Sequence, residues 1–323
     1  MIRQAKQIIK RSFASPLGWR LLGPILRTPG VIVLTYHRIN GADRSLAGIA
    51  VEKFAAQMRW VRDNCDPIGP EAMVERVARP SRIRPAVLVT FDDGYRDYHD
   101  LAYPVLKELG IPALVFLATS FLDEGGMLWT DVVQWAALTA HRERVKLPWS
   151  SESVALPDAA ARDALGEKAR AHLKTVPDAD RRAAVKAFLA ELGDPPERGR
   201  QMLTWDEVRA TLDLTRYGGH SHTHPILSRL DRADAEREIR TCRDRIAAET
   251  GRAPRYFAYP NGRPGDYTAE TQDLLRQYGF TMAFATSEGI AGADTDWMAV
   301  KRLPSDGANL PDFVWLAAGL SRS

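Results

Sequence analysis

The sequence is poor in cysteine: its 323 residues include only Cys65 and Cys242, which do not form a CxxC pair. This excludes a disulfide-stapled scaffold and a cysteine zinc finger, so any metal must be bound by histidine and carboxylate side chains. The chain also has no stretch that approaches the roughly 18 consecutive apolar residues expected of a membrane-spanning helix.

The signatures of nucleotide and nucleic-acid binding are missing as well. No GxGxxG segment follows a predicted strand, and the P-loop pattern GxxxxGKS/T does not occur. The 44 basic residues are nearly balanced by 41 acidic ones, and the net charge of +3 disfavours binding to a polyanion. A hydrophobic share of 45% is, by contrast, enough to bury a large core in one big domain or two modest ones.

Residues 1–29 form a basic segment without an acidic side chain; its cations are Arg3, Lys6, Lys10, Arg11, Arg20 and Arg27. A secretory signal needs an uninterrupted apolar core, whereas residues 16–26 contain Arg20 and two prolines and precede no small-residue cleavage site. We therefore expect no cleaved signal peptide and a cytoplasmic location. Two interpretations stay open: a solvated helix packed on the following domain, and an amphipathic helix in peripheral contact with an anionic membrane.

Seven short apolar runs rich in β-branched residues predict strands, at residues 31–36, 86–91, 113–117, 216–219, 256–259, 281–285 and 300–303. Helical patterns follow several of these runs, at residues 97–109, 233–249 and 268–278. Helix ends are expected at Gly110, Gly251 and Gly279. This alternation predicts βα units around a parallel sheet, and seven strands suit a closed barrel better than an open sheet.

Residues 131–202 do not follow the alternation. They contain no strand pattern, are rich in Ala, Arg, Asp and Glu, and have helical spacing interrupted by prolines. We interpret them as a helical insertion within a catalytic domain of residues 30–323, without chemistry of its own. The insertion can cover the site as a lid or merely decorate the barrel.

The first chemical motif is residues 87–94, VLVTFDDG, which places Asp92 and Asp93 at the carboxyl end of a predicted buried strand. Parallel α/β barrels carry their active groups at this end of the strands. In the structural alternative Asp93 caps the following turn and Asp92 is solvated, as is common for Asp-Asp-Gly in a loop. A second cluster with metal-ligand chemistry argues against that alternative.

This second cluster is residues 218–225, GGHSHTHP, which hold three of the seven histidines. His220 and His224 can grip one divalent ion either from one helical turn or as alternate residues of an extended segment. His222 would join them only if the segment is extended. One aspartate and two histidines would make a three-ligand site with a position left for water.

The two motifs resemble the first two motifs of the polysaccharide deacetylase family, the NodB-homology domain or carbohydrate esterase family 4. Residues 90–94 and 220–225 match without gaps, and the resemblance extends from residue 31 to the carboxyl terminus outside the insertion. It implies a deformed (β/α)7 barrel and an enzyme that removes N-acetyl groups from amino sugars with a divalent metal, usually zinc. Nickel, cobalt, manganese or iron would also suit one Asp and two His.

The resemblance implies that Asp92 is the general base and that Asp93, His220 and His224 bind the metal, whereas His222 falls at a variable position. The bound metal would lower the pKa of its water to about 7 and polarise the acetamide while Asp92 takes a proton. A backbone N–H at the segment of residues 257–262, FAYPNG, would stabilise the oxyanion.

The leaving amine needs a proton, yet no histidine follows His224, whereas most of the family takes this acid from a Leu-x-His motif near the carboxyl terminus. His37 ends the first predicted strand and would therefore lie on the same face of the barrel as Asp92 and Asp93. This resembles the circularly permuted branch of the family, the poly-N-acetylglucosamine deacetylases of exopolysaccharide systems. We predict His37 as the general acid. The alternatives are a His37 bonded to backbone, and an acid role for His99, His141 or His172 on helical stretches.

Ala258 is a second departure, because much of the family has there an arginine that orients the catalytic aspartate. Arg302, at another strand end, can replace it, as can Lys301. Asp296 and Trp297 loosely resemble a later motif in which a carboxylate tunes the acid histidine and a tryptophan lines the sugar pocket; a loop and a core aromatic are the alternatives.

Two residues of the segment 257–262 are further candidates for substrate contact. Asn261 stands where many relatives have tyrosine, and a backbone N–H donor survives that change. Tyr259, like Tyr95, can stack on a sugar ring or simply pack.

Three functions remain open at this point. The leading one is a metal-dependent N-deacetylase acting on an N-acetylated polysaccharide, oligosaccharide or lipid-linked saccharide in exopolysaccharide or cell-envelope biosynthesis. The second is a deformylase or O-acetyl esterase acting on a saccharide. The third is an inactive saccharide-binding protein, which the presence of base, ligands and acid together disfavours.

Overall fold

Seven parallel strands close into a barrel in a computed structural model that describes residues 9–10, 12–41, 46–81 and 83–320. Each strand pairs with the next one along the chain, and the last pairs with the first. The barrel strands are β1 (Val31–Tyr36), β2 (Ala86–Phe91), β3 (Ala113–Leu117), β4 (Thr215–Gly219), β5 (Tyr256–Ala258), β6 (Met282–Glu288) and β7 (Val300–Pro304). The predicted (β/α)7 barrel is thereby confirmed.

Every residue of β1, β2 and β3 is buried. Their inner face fills the barrel and their outer face is covered by helices, which is why these strands are continuous apolar runs instead of alternating ones. Short extra strands lie outside the barrel: Asp66–Pro67 pairs with β2, and Ile39–Asn40 pairs with Ile49–Ala50.

Twelve α-helices have both ends within the described residues: α1 (Pro16–Leu26), α2 (Val51–Asn64), α3 (Met73–Ala78), α4 (Tyr103–Leu109), α5 (Thr119–Glu124), α6 (Trp129–Thr139), α7 (Ala159–Leu173), α8 (Asp178–Leu192), α9 (Trp205–Ala210), α10 (Arg232–Thr250), α11 (Ala269–Gln277) and α12 (Leu310–Ala317). Gly110 and Gly251 end α4 and α10 in the left-handed conformation, as expected. The helix predicted at residues 97–109 begins as a π-helix, Tyr98–Ala102.

The insertion consists of α6, α7 and α8 around a small core of its own that includes Leu165 and Phe188. It also contains an antiparallel hairpin of Arg144–Lys146 and Ser153–Ala155, so the expectation that it holds no strand is wrong. Each strand has three residues, and only Val145 among them is fully buried. Such short strands are below the four to eight residues on which an alternating pattern can be recognised.

The amino-terminal helix α1 packs on the barrel through one side only. Trp19 is buried against Trp60 and Phe13, and Phe13 contacts Trp315 of α12. The opposite side of α1 exposes Leu17 and other apolar side chains. Among the described residues, no helix has both the length and the apolar character needed to cross a bilayer.

Candidate active site

The carboxyl ends of the strands bring the two motifs together. Asp92 and Asp93 follow β2, and His220 follows β4. His37 follows β1, which pairs with β2 in register from Val31 to Tyr36. Because parallel strands in a barrel all end on the same face, the four side chains meet at one rim.

Asp93, His220 and His224 form a compact group of ligand atoms. The Oδ1 atom of Asp93 lies 3.2 Å from Nε2 of His220 and 3.2 Å from Nε2 of His224. A tetrahedral zinc ion with bonds of about 2.0–2.1 Å requires donor atoms roughly 3.3 Å apart. The ligand atoms of all three residues lie within 4.8 Å of one another, a spacing that suits one such ion.

Neighbouring groups fix the protonation of these ligands. Nδ1 of His220 donates a hydrogen bond to the carbonyl oxygen of Ala258 at 2.7 Å, which orients the ring so that Nε2 faces Asp93. Burial lowers the pKa of His224. Burial disfavours ionisation of Asp93, but the contacts with both histidines outweigh it and hold the pKa of Asp93 well below its ordinary value. Ionised carboxylate and neutral imidazole are the forms that bind a divalent cation.

The backbone around the ligands is strained. Among the described residues, the non-glycine residues with left-handed backbone are Asp93, Ser221, His224 and Asn261, with φ between 59° and 75°. This conformation costs roughly 1–2 kcal/mol per residue. All four belong to the two motifs or to the loop after β5, which is the clustering expected where the surrounding structure holds functional groups in place.

The loop that carries the histidines is held by Glu238 of α10. Its carboxylate accepts hydrogen bonds from the backbone N–H groups of His222 and Thr223 and from the Thr223 hydroxyl. The His222 ring turns away from the ligand group, with Nδ1 2.9 Å from Oγ1 of Thr119. The His222 ring thus lies outside the group formed by Asp93, His220 and His224.

Asp92 is held by Arg302, the arginine that the sequence suggested as a replacement at Ala258. Arg302 is 1% exposed and donates two hydrogen bonds to the Asp92 carboxylate, at 2.7 and 2.8 Å. Burial disfavours ionisation of Asp92, but the guanidinium outweighs it and lowers the pKa of Asp92. The other candidate, Lys301, is exposed on the outside of β7.

His37 lies opposite Asp92, with its Nε2 atom 3.9 Å from Oδ2 of Asp92. Its Nδ1 atom is 3.0 Å from Oδ2 of Asp306, and Oδ1 of Asp306 accepts from the His37 backbone N–H at 3.3 Å. Burial lowers the pKa of His37, but the bond to Asp306 and the charges of Asp92 and Asp93 raise it to about 10. His37 is thus held protonated beside the cleft.

Asp306 is a site residue that the sequence reasoning missed; it occupies the position beside His37 that the sequence offered to Asp296. Asp296 does not tune the histidine, because its carboxylate accepts from the backbone N–H of Met298 outside the cleft. Trp297 packs against a core cluster that contains Val31, not against a sugar pocket. The alternatives of a loop and a core aromatic were therefore correct for both.

Tyr259 and Asn261 have separate surroundings. Tyr259 also borders the cleft, but it is 1% exposed, stacks on Tyr267 and donates its hydroxyl proton to the carbonyl oxygen of Met298, so its ring is packed within the protein. Asn261 lines the cleft, and its side chain binds Asp266. Within the described parts of the chain, no oxygen accepts a hydrogen bond from the backbone N–H of Asn261, which leaves this donor available to an oxyanion.

The cleft above these residues has a volume of about 400 Å³. The insertion forms one of its walls through Trp129, Asp131 and Gln134 of α6 and through Arg170 and Lys174 at the end of α7. The insertion therefore forms part of the site and is not merely a peripheral addition to the barrel. His99, His141 and His172 do not line the cleft.

Comparisons with known proteins point to one family. The sequence model of the family described as Polysaccharide deacetylase matches residues 80–146 and 174–283. YxkH of Bacillus subtilis, whose name places it among polysaccharide deacetylases, is 38% identical over 89 residues, which is 26% of this chain and 30% of that protein. A poly-beta-1,6-N-acetyl-D-glucosamine N-deacetylase of Escherichia coli is 26% identical over 98 residues, which is 29% of this chain and 15% of that protein. The matches thus span less than a third of these relatives.

Solved structures share the barrel over most of the chain. The Streptococcus pyogenes deacetylase PplD, in complex with acetate, is 17% identical with a TM-score of 0.61, over 91% of this chain and 100% of the other. IcaB from Ammonifex degensii is 20% identical with a TM-score of 0.57, over 90% and 97% of the two chains. At these identities the likeness concerns the fold. Together with the family match, which includes both motifs, it follows that the chain belongs to the polysaccharide deacetylase family.

Proposed function

We propose that this protein hydrolyses the N-acetyl group of an N-acetylated amino sugar in a saccharide, with a divalent cation held by Asp93, His220 and His224. The observation that carries the proposal is the position of Asp92 and His37 across the rim, with Nε2 of His37 3.9 Å from Oδ2 of Asp92 and both next to the three ligands. Amide hydrolysis requires a base and an acid on opposite sides of one carbonyl. The donor set favours zinc but also suits other first-row divalent ions.

Each residue has a distinct task in this reaction. The cation, when bound, supplies a water of lowered pKa and polarises the acetamide carbonyl. Asp92, kept ionised by Arg302, accepts the proton of the attacking water. The backbone N–H of Asn261 stabilises the oxyanion that develops on the carbonyl oxygen. His37 then donates its proton to the sugar nitrogen, so that the amine can leave.

The reaction is tested by incubating the zinc-loaded protein with N-acetylglucosamine oligomers and assaying acetate and free amine separately. We expect equal amounts of both products. Acetate without new amine, measured on O-acetylated oligomers, would indicate an esterase instead. If only N-formylated oligomers yield amine, the protein is a deformylase, and binding without any product would leave an inactive saccharide-binding protein.

Replacing Asp306 by Asn is expected to move the alkaline limb of the kcat/KM profile to lower pH by about 1–2 units. His37 acts in its protonated form, and the Asp306 carboxylate raises the pKa of that form. Without this charge His37 loses its proton at lower pH, and activity falls there. The matched control is Asp296→Asn, because Asp296 bonds to the Met298 backbone outside the cleft. If the alkaline limb of Asp306→Asn stays at the wild-type pH, deprotonation of His37 is not the cause of this limb.

We also propose that α1 rests on an anionic membrane surface. Nine large apolar side chains are exposed among the described residues, and six of them lie within residues 9–26. Leu17, Leu21 and Ile25 form one row at 68%, 61% and 72% exposure, whereas Trp19, in the row that packs on the barrel, is buried. Residues 1–29 carry no acidic side chain, which complements anionic lipid. The cytoplasmic location expected from the sequence stays a prediction.

Vesicle sedimentation tests this membrane contact. The full chain is expected to sediment with vesicles of phosphatidylcholine and phosphatidylserine at low salt, and less with phosphatidylcholine alone. The double substitution Leu21→Glu and Ile25→Glu should abolish sedimentation, while Val74→Glu, at an exposed apolar residue of α3, should not. Sedimentation of the double variant at the wild-type level, or none for the wild type, would overturn the proposal.

A further inference from the structure

One wall of the cleft carries three cationic side chains that the proposed reaction does not use. Arg170 lies in the last turn of α7, Lys174 follows this helix directly, and Arg263 lies in the loop after β5. All three line the same cleft as Asp92 and Asp93. They come from two segments remote in sequence, the insertion and the loop that also carries Asn261.

The acidic side chains that line the cleft already have partners. Asp92 binds Arg302, Asp93 contacts two histidines, and Asp306 binds His37. The fourth, Asp131, contacts Arg38 at 3.4 Å. Asp131 and Asp93 act on Arg170 and Lys174 only through space, and no ion pair joins these residues within the described part of the chain.

The three cations are poorly paired in return. In the described part of the chain, neither Lys174 nor Arg263 has a carboxylate within ion-pair distance. Arg170 binds Glu167 on the solvent side, while its Nε atom is buried without a hydrogen-bond partner among the described residues. Partial burial and the charges of Arg263 and Arg170 lower the pKa of Lys174, although Asp266 and Asp93 act in the opposite direction.

Poorly paired cations that repel each other at a half-buried wall destabilise the free protein. A bound anion would remove this repulsion and supply the missing hydrogen-bond acceptor to Arg170. A neutral polymer of N-acetylglucosamine offers no such group. The positive charge of this wall therefore bears on the charge of the substrate. It has no part in the hydrolysis of the acetamide.

We infer that the substrate is an anionic saccharide, in which a phosphate or carboxylate group near the N-acetylated sugar is bound by Arg170, Lys174 and Arg263. The inference rests on the proposed deacetylase function and narrows its substrate class. Arginine pairs with the planar or tetrahedral oxygens of such groups through two N–H donors, and Lys174 adds a point charge. Phosphate and carboxylate share this recognition chemistry, and the experiment distinguishes them.

The test compares three substrates of the zinc-loaded full chain: di-N-acetylchitobiose, its reducing-end 1-phosphate, and a tetrasaccharide of alternating N-acetylglucosamine and glucuronic acid. Release of amine gives kcat/KM for each. At low ionic strength we expect kcat/KM for at least one of the two anionic substrates to exceed kcat/KM for the neutral one by about 10- to 100-fold, because hydrogen bonds to charged groups are strong. This ratio should fall as salt is added.

Variants of the wall decide whether these cations cause the preference. Lys174→Gln and Arg170→Gln should each lower the anionic-to-neutral ratio about tenfold, and Lys174→Arg should largely keep it. Lys168→Gln is the matched control, since Lys168 lies on α7 but pairs with Glu152 in solvent. Zinc content of each variant shows whether the site is intact.

The outcomes separate this inference from the function on which it rests. If the neutral substrate yields amine and the anionic ones are no better, only the anionic-substrate inference fails. It fails as well if Lys174→Gln weakens inhibition by acetate while the substrate ratio stays unchanged, because the cations would then bind the product. If none of the three substrates yields amine, the proposed deacetylase function fails.

Discussion

Replacing Asp92 by Asn is expected to lower kcat by about 10²- to 10⁴-fold, the range that a positioned general base contributes. Asparagine has nearly the same shape as aspartate but cannot accept the proton of the attacking water. Because the cation is assigned to Asp93, His220 and His224, zinc content should remain close to that of the wild type. The measurement is kcat on an N-acetylglucosamine oligomer together with the metal content of the same sample.

The same substitution should reduce stability, and a control must separate this effect from the loss of turnover. An asparagine in place of the carboxylate leaves Arg302, which is 1% exposed, without its counter-charge, and breaking such a buried pair costs roughly 3–5 kcal/mol. Asp131→Asn, which weakens the contact with Arg38 in the same cleft, is the matched control. Turnover by Asp92→Asn at the level of this control would remove Asp92 from the base role.

Replacing Asp93 or His220 by Ala is expected to abolish both metal binding and turnover. Each contributes one of three protein ligands, and two ligands do not hold a divalent ion tightly at this kind of site. Zinc content should fall from about one ion per chain to near zero after dialysis against a weak chelator. Metal analysis and the amine assay on the same preparation measure both effects.

His222→Ala is the matched control for this loss. His222 lies two residues from His220 and from His224, but its ring contacts Thr119 and not Asp93. This variant should retain zinc, whereas Asp93→Ala should not. Stoichiometric zinc in Asp93→Ala, or loss of zinc in His222→Ala alone, would contradict the ligand assignment.

The sequence was sufficient to predict the barrel because most residues of its strands are buried, and β1, β2 and β3 are buried at every residue. The seven predicted runs coincide with β1 to β7 to within three residues at each end, since continuous β-branched runs are a strong local signal. The hairpin of Arg144–Lys146 and Ser153–Ala155 was missed because its strands are only three residues long. Its stability comes from the small core of the insertion, which no local pattern reveals.

The sequence predicted those site residues that lie in short motifs. It could not predict a site residue that reaches the others only because the barrel closes. Asp92, Asp93, His220 and His224 are marked by their motifs. Asp306 has no local signal: it reaches His37 because β7, which precedes it, pairs with β1 and closes the barrel. The sequence offered this role to Asp296 on a loose resemblance to a later motif, and the structure places Asp296 outside the cleft.

The three cations of the cleft wall are likewise brought together only by the tertiary structure. Arg170 lies on α7 and Lys174 directly follows it, within the segment that the sequence indicates as a helical insertion, and Arg263 lies 89 positions beyond Lys174. Only the packing of the insertion against the barrel places them on one surface. Which charged side chains form ion pairs, and which do not, therefore cannot be predicted from the sequence alone.

The central claim is that residues from two distant motifs bind one catalytic cation, and anomalous diffraction at the zinc absorption edge tests it most directly. Crystals grown with zinc should show a strong anomalous peak about 2.0–2.2 Å from Asp93, His220 and His224 together. A peak elsewhere, or none between these three side chains at saturating zinc, would contradict the account.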